Sequence, residues 1–184
     1  MDILDFDELV CLANIDLEND RVAEALVKLK YALRKEDNTA VHPMIARVYA
    51  RLGLFERSKH YFERYLAENP SSLVELFQYG MTHFDSNDHK SAFAVFNTIL
   101  EQSPDHPPAL YYSSVILAKE GRLQESKGQL ESLIKNTSKA NLFCKKAKIL
   151  LSEIDPEVVT TESTESTDEA EHSATNSSSN ILLN

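Results

Sequence analysis

Tryptophan is absent from the 184 residues and glycine occurs only four times. That is too little turn chemistry for a protein of many tight hairpins, so helix is favoured from the outset. Cysteine is equally sparse. Cys11 and Cys144 lie far apart with no metal-ligand spacing, which excludes a disulfide framework and a zinc knuckle and predicts two reduced thiols. No run approaches the roughly 18 apolar residues of a membrane span, and the opening MDILDFDELV carries acids where a secretory leader needs bases. A cytoplasmic protein that avoids membranes is the expectation. Gly-rich phosphate loops, H-E-x-x-H and G-x-S-x-G are all missing, and the histidines form no ligand cluster, so no enzyme activity, cofactor or metal is expected.

Positive charge is also scarce where the acids are densest. Residues 156–184 hold Glu157, Glu162, Glu165, Asp168, Glu169 and Glu171 without one Lys or Arg. Removing those six from the 29 acids leaves 23 against 19 bases, a balance that argues against binding nucleic acid. The same segment is dominated by Ser, Thr and acids and has no aromatic. It cannot bury enough apolar surface to offset chain entropy and is expected to be disordered.

What is present is a period of 34. Pro70 and Pro104 are 34 apart, and Gly53, Asn87 and Gly121 repeat at that interval. Aligned on them, Phe62, Phe96 and Leu130 share one column and Ser58, Ala92 and Ser126 another. Tyr65, Ile99 and Leu133 form a third, followed by Leu66, Leu100 and Ile134. Gly or Asn in mid-repeat suits the left-handed residue that closes a helix. The small residues Ala46, Gly80 and Ser114, facing Ser58, Ala92 and Ser126, let two helices approach closely. The proline column then stops the second helix.

These residues resemble the tetratricopeptide repeat family, a 34-residue helix-turn-helix unit with small residues at its eighth and twentieth positions and Pro at its thirty-second. The resemblance implies an all-α fold, a right-handed superhelical solenoid of helix-turn-helix units closed by a C-terminal capping helix. The expected domain is 1–155, with repeats at 39–72, 73–106 and 107–140, a weaker copy at 6–38 broken at Asn19-Asp20, and the capping helix at 140–154. His42, Leu76 and Leu110 stand where the family often has an aromatic.

Function in this family lies in a concave groove lined by the first helix of each repeat. The resemblance places Arg47, Arg51, Phe77, Met81, Phe84, Tyr111, Tyr112 and Lys119 there, with Asn141, Cys144, Lys145 and Lys148 on the closing helix. It implies a scaffold or adaptor that holds a protein or peptide segment carrying apolar anchors and acids. Two other roles fit the same chain: a dedicated secretion or assembly chaperone of the type III translocator-chaperone kind, and a self-assembling structural subunit. In the second case the base-free stretch Asp2–Asp20 would meet the Lys139–Lys148 helix of another copy, giving a weak homo-oligomer. Members that clamp a C-terminal carboxylate use Lys, Asn and Arg at places held here by Val10, Asn14, Met44, Val74 and Gln78, of which only Asn14 fits. The acidic segment, with Ile181, Leu182 and Leu183, is long enough to act as a tethered competitor for the groove.

Overall fold

The computed structural model describes residues 3–155, and the acidic segment from Pro156 lies outside the described residues. Those residues form α1 (Phe6–Glu18), α2 (Val22–Lys35), a short 3-10 turn (Thr39–Val41), α3 (His42–Arg51), α4 (Phe55–Glu68), α5 (Leu73–Asp85), α6 (His89–Gln102), α7 (Pro107–Lys119), α8 (Leu123–Asn136) and α9 (Leu142–Ile154). No strand occurs among them. The helices pack as antiparallel pairs, α1 with α2, α3 with α4, α5 with α6 and α7 with α8, and each pair packs on the next. The all-α helical repeat expected from the 34-residue register is the fold observed.

Each pair is joined by the same turn. Asp20, Gly53, Asn87 and Gly121 have φ of 59°, 69°, 60° and 78°, the left-handed conformation. The next residue of each, Arg21, Leu54, Asp88 and Arg122, donates its N–H to the carbonyl five residues back, at 2.7 to 2.9 Å. The left-handed residues donate to Leu17, Ala50, Phe84 and Ala118 at 2.9 to 3.2 Å. Four Schellman motifs therefore satisfy the last carbonyls of α1, α3, α5 and α7. Their spacing is 33, 34 and 34, so the first copy is one residue short, and Asp20 rather than Asn19 takes the strained place.

Starts are capped by side chains where the sequence supplies them. Asp5 and Glu8 form a reciprocal capping box at 2.8 Å, Asp88 accepts from Ser91 N–H, and Asn141 accepts from Phe143 N–H. At α7 the acceptor is a ring nitrogen, His106 Nδ1, 3.2 Å from the Ala109 N–H. The first pair is further tied by Asp16, buried on α1, which pairs with Arg21 and Lys28; both partners hold its carboxyl below the usual carboxylate range.

The core is a chain of three clusters. One is built on Leu29, Ile45 and Tyr49, one on Phe96, Ile99 and Ile116, and one on Leu130, Leu133 and Ala147. The small-residue column works as close approach requires. A Cβ built on Gly80 would lie 2.6 Å from Phe96 Cε1, so α5 can sit against the Phe96 ring only because no side chain intervenes. Ser58 and Thr82 share a buried hydroxyl contact at 3.3 Å, and Ser126 donates to the Ser114 carbonyl at 2.9 Å. Position four of the 34-residue register is core throughout: His42, Leu76, Leu110 and Cys144 are all buried.

Candidate interaction groove

Beyond neighbours in the chain, the helices in closest approach are α3 with α5 and α7 with α9. In a curved stack the elements on the inner radius crowd together, so the odd-numbered helices line the inner side. The resemblance assigns that side to registers two, five, six, nine, twelve and thirteen of each odd helix.

The central part of this face is a continuous aromatic network. Tyr112 lies at 5.9 Å from Phe77, 5.3 Å from Phe84, 5.4 Å from Tyr111 and 6.3 Å from Phe143, measured between ring centroids. Phe77 also meets Phe96 and His106 at 5.9 Å each, and Phe84 meets His89 at 5.2 Å. Edge-on and tilted rings at these separations are the favoured arrangements. Phe77, Met81, Phe84, Tyr111 and Tyr112 are all half-buried, each with one side against the core and another accessible. Burial raises the phenol pKa of Tyr111 and Tyr112 and lowers that of the His106 imidazole, so all three are neutral at pH 7.

Cations border the network by resting on it. Lys119 Nζ stands 5.1 Å over the Phe84 ring, and Lys146 Nζ stands 5.6 Å from both Tyr111 and Phe143. Toward the N-terminal end, Arg47, Ala50 and Arg51 of α3 face Gln78, Thr82 and Asp85 of α5 across a cavity of about 300 Å³ floored by Phe62. Its two guanidinium groups are engaged, Arg47 with Glu75 at 3.7 Å and Arg51 with the exposed Asp20 at 2.6 Å. The Arg51–Asp20 pair is exposed and therefore weak, about 0 to 1 kcal/mol, whereas Glu75 is mostly buried. Partial desolvation raises the Asp85 pKa.

Of the residues expected here, Phe77, Met81, Phe84, Tyr111, Tyr112 and Lys119 come together, and Arg47 and Arg51 share the adjoining cavity. The closing helix is placed differently from the expectation. Cys144 is buried and belongs to the core column of His42, Leu76 and Leu110, because the register starts again at Asn141 and puts Cys144 at position four. Lys148 is exposed but occupies the register of Ala46, Gly80 and Ser114, which elsewhere faces a paired helix. Lys145 is exposed at register five. Lys145 therefore continues the line, together with Leu142 and Ile149, exposed at 60% and 61%, and Lys146. Counting one more interval of 34 from Pro108, Tyr112 and Val115 would have found the last three. Val74, 65% exposed on α5, belongs to the same stripe.

No helix among the described residues is long and apolar enough to cross a membrane, and no group of three or more His, Cys, Asp or Glu there could hold a metal ion.

A family model described as tetratricopeptide repeat matches residues 44–72, the stretch from α3 through α4. No curated protein matches the sequence. Among solved structures, a tetratricopeptide repeat protein from Parabacteroides merdae superposes with a TM-score of 0.75 at 16% identity, over 92% of this chain and 68% of its own. MamA from Desulfovibrio magneticus, from its residue 41 onward, gives 0.72 at 16% identity over 93% and 97%. YrrB, described as a tetratricopeptide repeat protein with an unusual peptide-binding site, gives 0.65 at 23% identity over 74% and 70%. At these identities the likeness is one of fold.

Proposed function

We propose that this chain, whose residues 44–72 match the tetratricopeptide repeat model and whose fold is that of solved tetratricopeptide repeat proteins, is a non-catalytic scaffold or adaptor holding a protein segment along its odd-numbered helices. The observation that carries the reading is the half-buried ring network of Phe77, Phe84, Tyr111 and Tyr112, edged by Val74, Leu142 and Ile149. Isolated apolar residues on a surface call for no explanation, but a continuous stripe of them does. The segment it fits carries two or three bulky apolar anchors for α5, α7 and α9, and an acid to meet Arg47 or Arg51 in the cavity between α3 and α5. The peptide-binding site in the name of YrrB is consistent with such a use of this fold.

Burying three or four such side chains at about 1.5 to 3 kcal/mol each, against about 4 to 15 kcal/mol of association entropy, gives an affinity no tighter than micromolar. The test uses the exposed members of the stripe, because Phe77 is shared with the core. Val74→Asp combined with Ile149→Asp should leave helicity and thermal unfolding unchanged and abolish partner capture in a pull-down read by mass spectrometry. Capture at the wild-type level by that double variant rejects the groove.

A further inference from the structure

A second, separate concavity lies on the other side of the stack, between even-numbered helices. Val27, Lys30, Leu33 and Arg34 of α2 and Tyr61 of α4 enclose about 450 Å³. Its floor is apolar: Tyr61 is anchored by stacking on Tyr49 at 5.7 Å and by an edge contact with His42 at 5.5 Å, while Val27 is 53% exposed. Val27, Lys30 and Arg34 follow at helical intervals and form one stripe along α2.

The charge here is unlike that of the other outer helices. In α4, α6 and α8 acids and bases are equal in number, whereas α2 carries Lys28, Lys30, Arg34 and Lys35 against Glu24 alone. Lys28 is taken by Asp16, but Lys30 and Arg34, like charges one turn apart, form no ion pair among the described residues. Like charges at that spacing repel. An acidic segment with small apolar side chains would relieve the repulsion and cover Val27 and Tyr61 together.

The chain itself contains such a segment. Residues 156–184 hold six acids and no Lys or Arg, with Val158 and Val159 beside Glu157, and with Ile181, Leu182 and Leu183. We propose that the cleft between α2 and α4 docks the acidic 156–184 segment of a second copy of the chain. The segment follows α9, at the far end of the stack from α2 with α3 to α8 between, which favours a second copy over the same chain as its source. A contact between unlike surfaces on successive copies is heterologous and adds copies head to tail. It leaves the groove on the odd-numbered helices unoccupied and is independent of it.

Zero-length carbodiimide coupling on the full chain tests this, because it joins an amine to a carboxylate only when they touch. The expected product is a covalent dimer in which Lys30 Nζ is linked to carboxylates between Glu157 and Glu171, suppressed by 0.5 M salt and by excess synthetic 156–184 peptide. Links confined to the monomer band, or running to Lys145 and Lys148 instead, overturn the assignment. Lys30→Glu with Arg34→Glu, both exposed and thus tolerated by the helix, should weaken self-association in sedimentation at least tenfold at unchanged far-ultraviolet circular dichroism. Self-association equal to wild type in that variant overturns it too. Should charge reversal reduce helicity, Lys30→Gln with Arg34→Gln reads the same loss.

Discussion

Substituting Gly80 by Ala sets two effects of similar size against each other, and the structure decides the sign. In a helix interior Ala is favoured over Gly by roughly 0.5 to 1 kcal/mol, since it loses less backbone entropy on folding. At Gly80, however, the new Cβ would stand 2.6 Å from Phe96 Cε1 and 3.0 Å from Cδ1. Restoring ordinary contact at 3.4 Å means moving that ring edge by about 0.8 Å. The ring has nowhere to go, because Phe96 is fully buried with Phe77 at 5.9 Å and Tyr112 at 6.0 Å around it. Overpacking of this kind costs typically 1 to 3 kcal/mol, so Gly80→Ala should destabilise by about 1 to 2 kcal/mol net. For a chain of this length that lowers Tm by roughly 2 to 8 °C. Gly128, exposed in the interior of α8 with nothing within 4 Å of a new Cβ, is the internal control. Gly128→Ala should raise stability by about 0.5 to 1 kcal/mol. Thermal and denaturant unfolding followed at 222 nm gives both numbers, and Phe96→Leu in the Gly80→Ala background should recover part of the loss. If Gly80→Ala unfolds at or above the wild-type temperature, the close approach of α5 to Phe96 is refuted.

Fully buried His42 has no hydrogen-bond partner for either ring nitrogen, and desolvation, with Arg64 and His60 adding to it against Asp37 and Glu68, lowers its pKa below the ordinary 6.5. The unfolded chain therefore binds a proton that the folded chain refuses: stability is complete above about pH 6.5 and falls as the pH drops from there toward the lowered folded value. His106 is shifted the same way, and its protonation would also cost α7 its N-cap acceptor. His42→Leu should flatten part of the loss of Tm between pH 7 and pH 5, and an unchanged slope would show that His42 is solvated. At Gly121, with φ of 78°, Ala has open space but the wrong backbone, so Gly121→Ala should destabilise by about 1 kcal/mol, while Asn87→Gly should be neutral or mildly stabilising in the same unfolding assay. Ser126→Ala removes the buried donor to the Ser114 carbonyl and should cost about 1 kcal/mol; a neutral result would mean that the carbonyl finds water.

The sequence by itself determined the fold class, because a repeat prints every structural demand several times. A left-handed residue is needed at each turn, and Gly53, Asn87 and Gly121 supply it at a fixed interval. Small residues are needed where paired helices touch, and Ala46, Gly80, Ser114, Ser58, Ala92 and Ser126 supply those. Even the one-residue deletion in the first copy was legible from Asn19-Asp20, although only the backbone shows that Asp20 is the strained one. The same register placed Phe77, Met81, Phe84, Tyr111 and Tyr112 on one face, since residues at equal positions of successive repeats must line up.

Tertiary structure alone decided how each of those residues is used. Periodicity gives the direction of a side chain and not the distance to its neighbours. It could not tell that Phe77 is shared with the core, that Arg47 and Arg51 already hold Glu75 and Asp20, or that Lys146 sits over Tyr111 and Phe143. Cys144 lies in the core for a related reason: the closing helix has no following helix among the described residues, so its faces are fixed by what packs on one side only. The cleft between α2 and α4 left no mark in the repeat at all, because it arises between two helices that are not partners, where a local excess of basic charge meets a gap in packing.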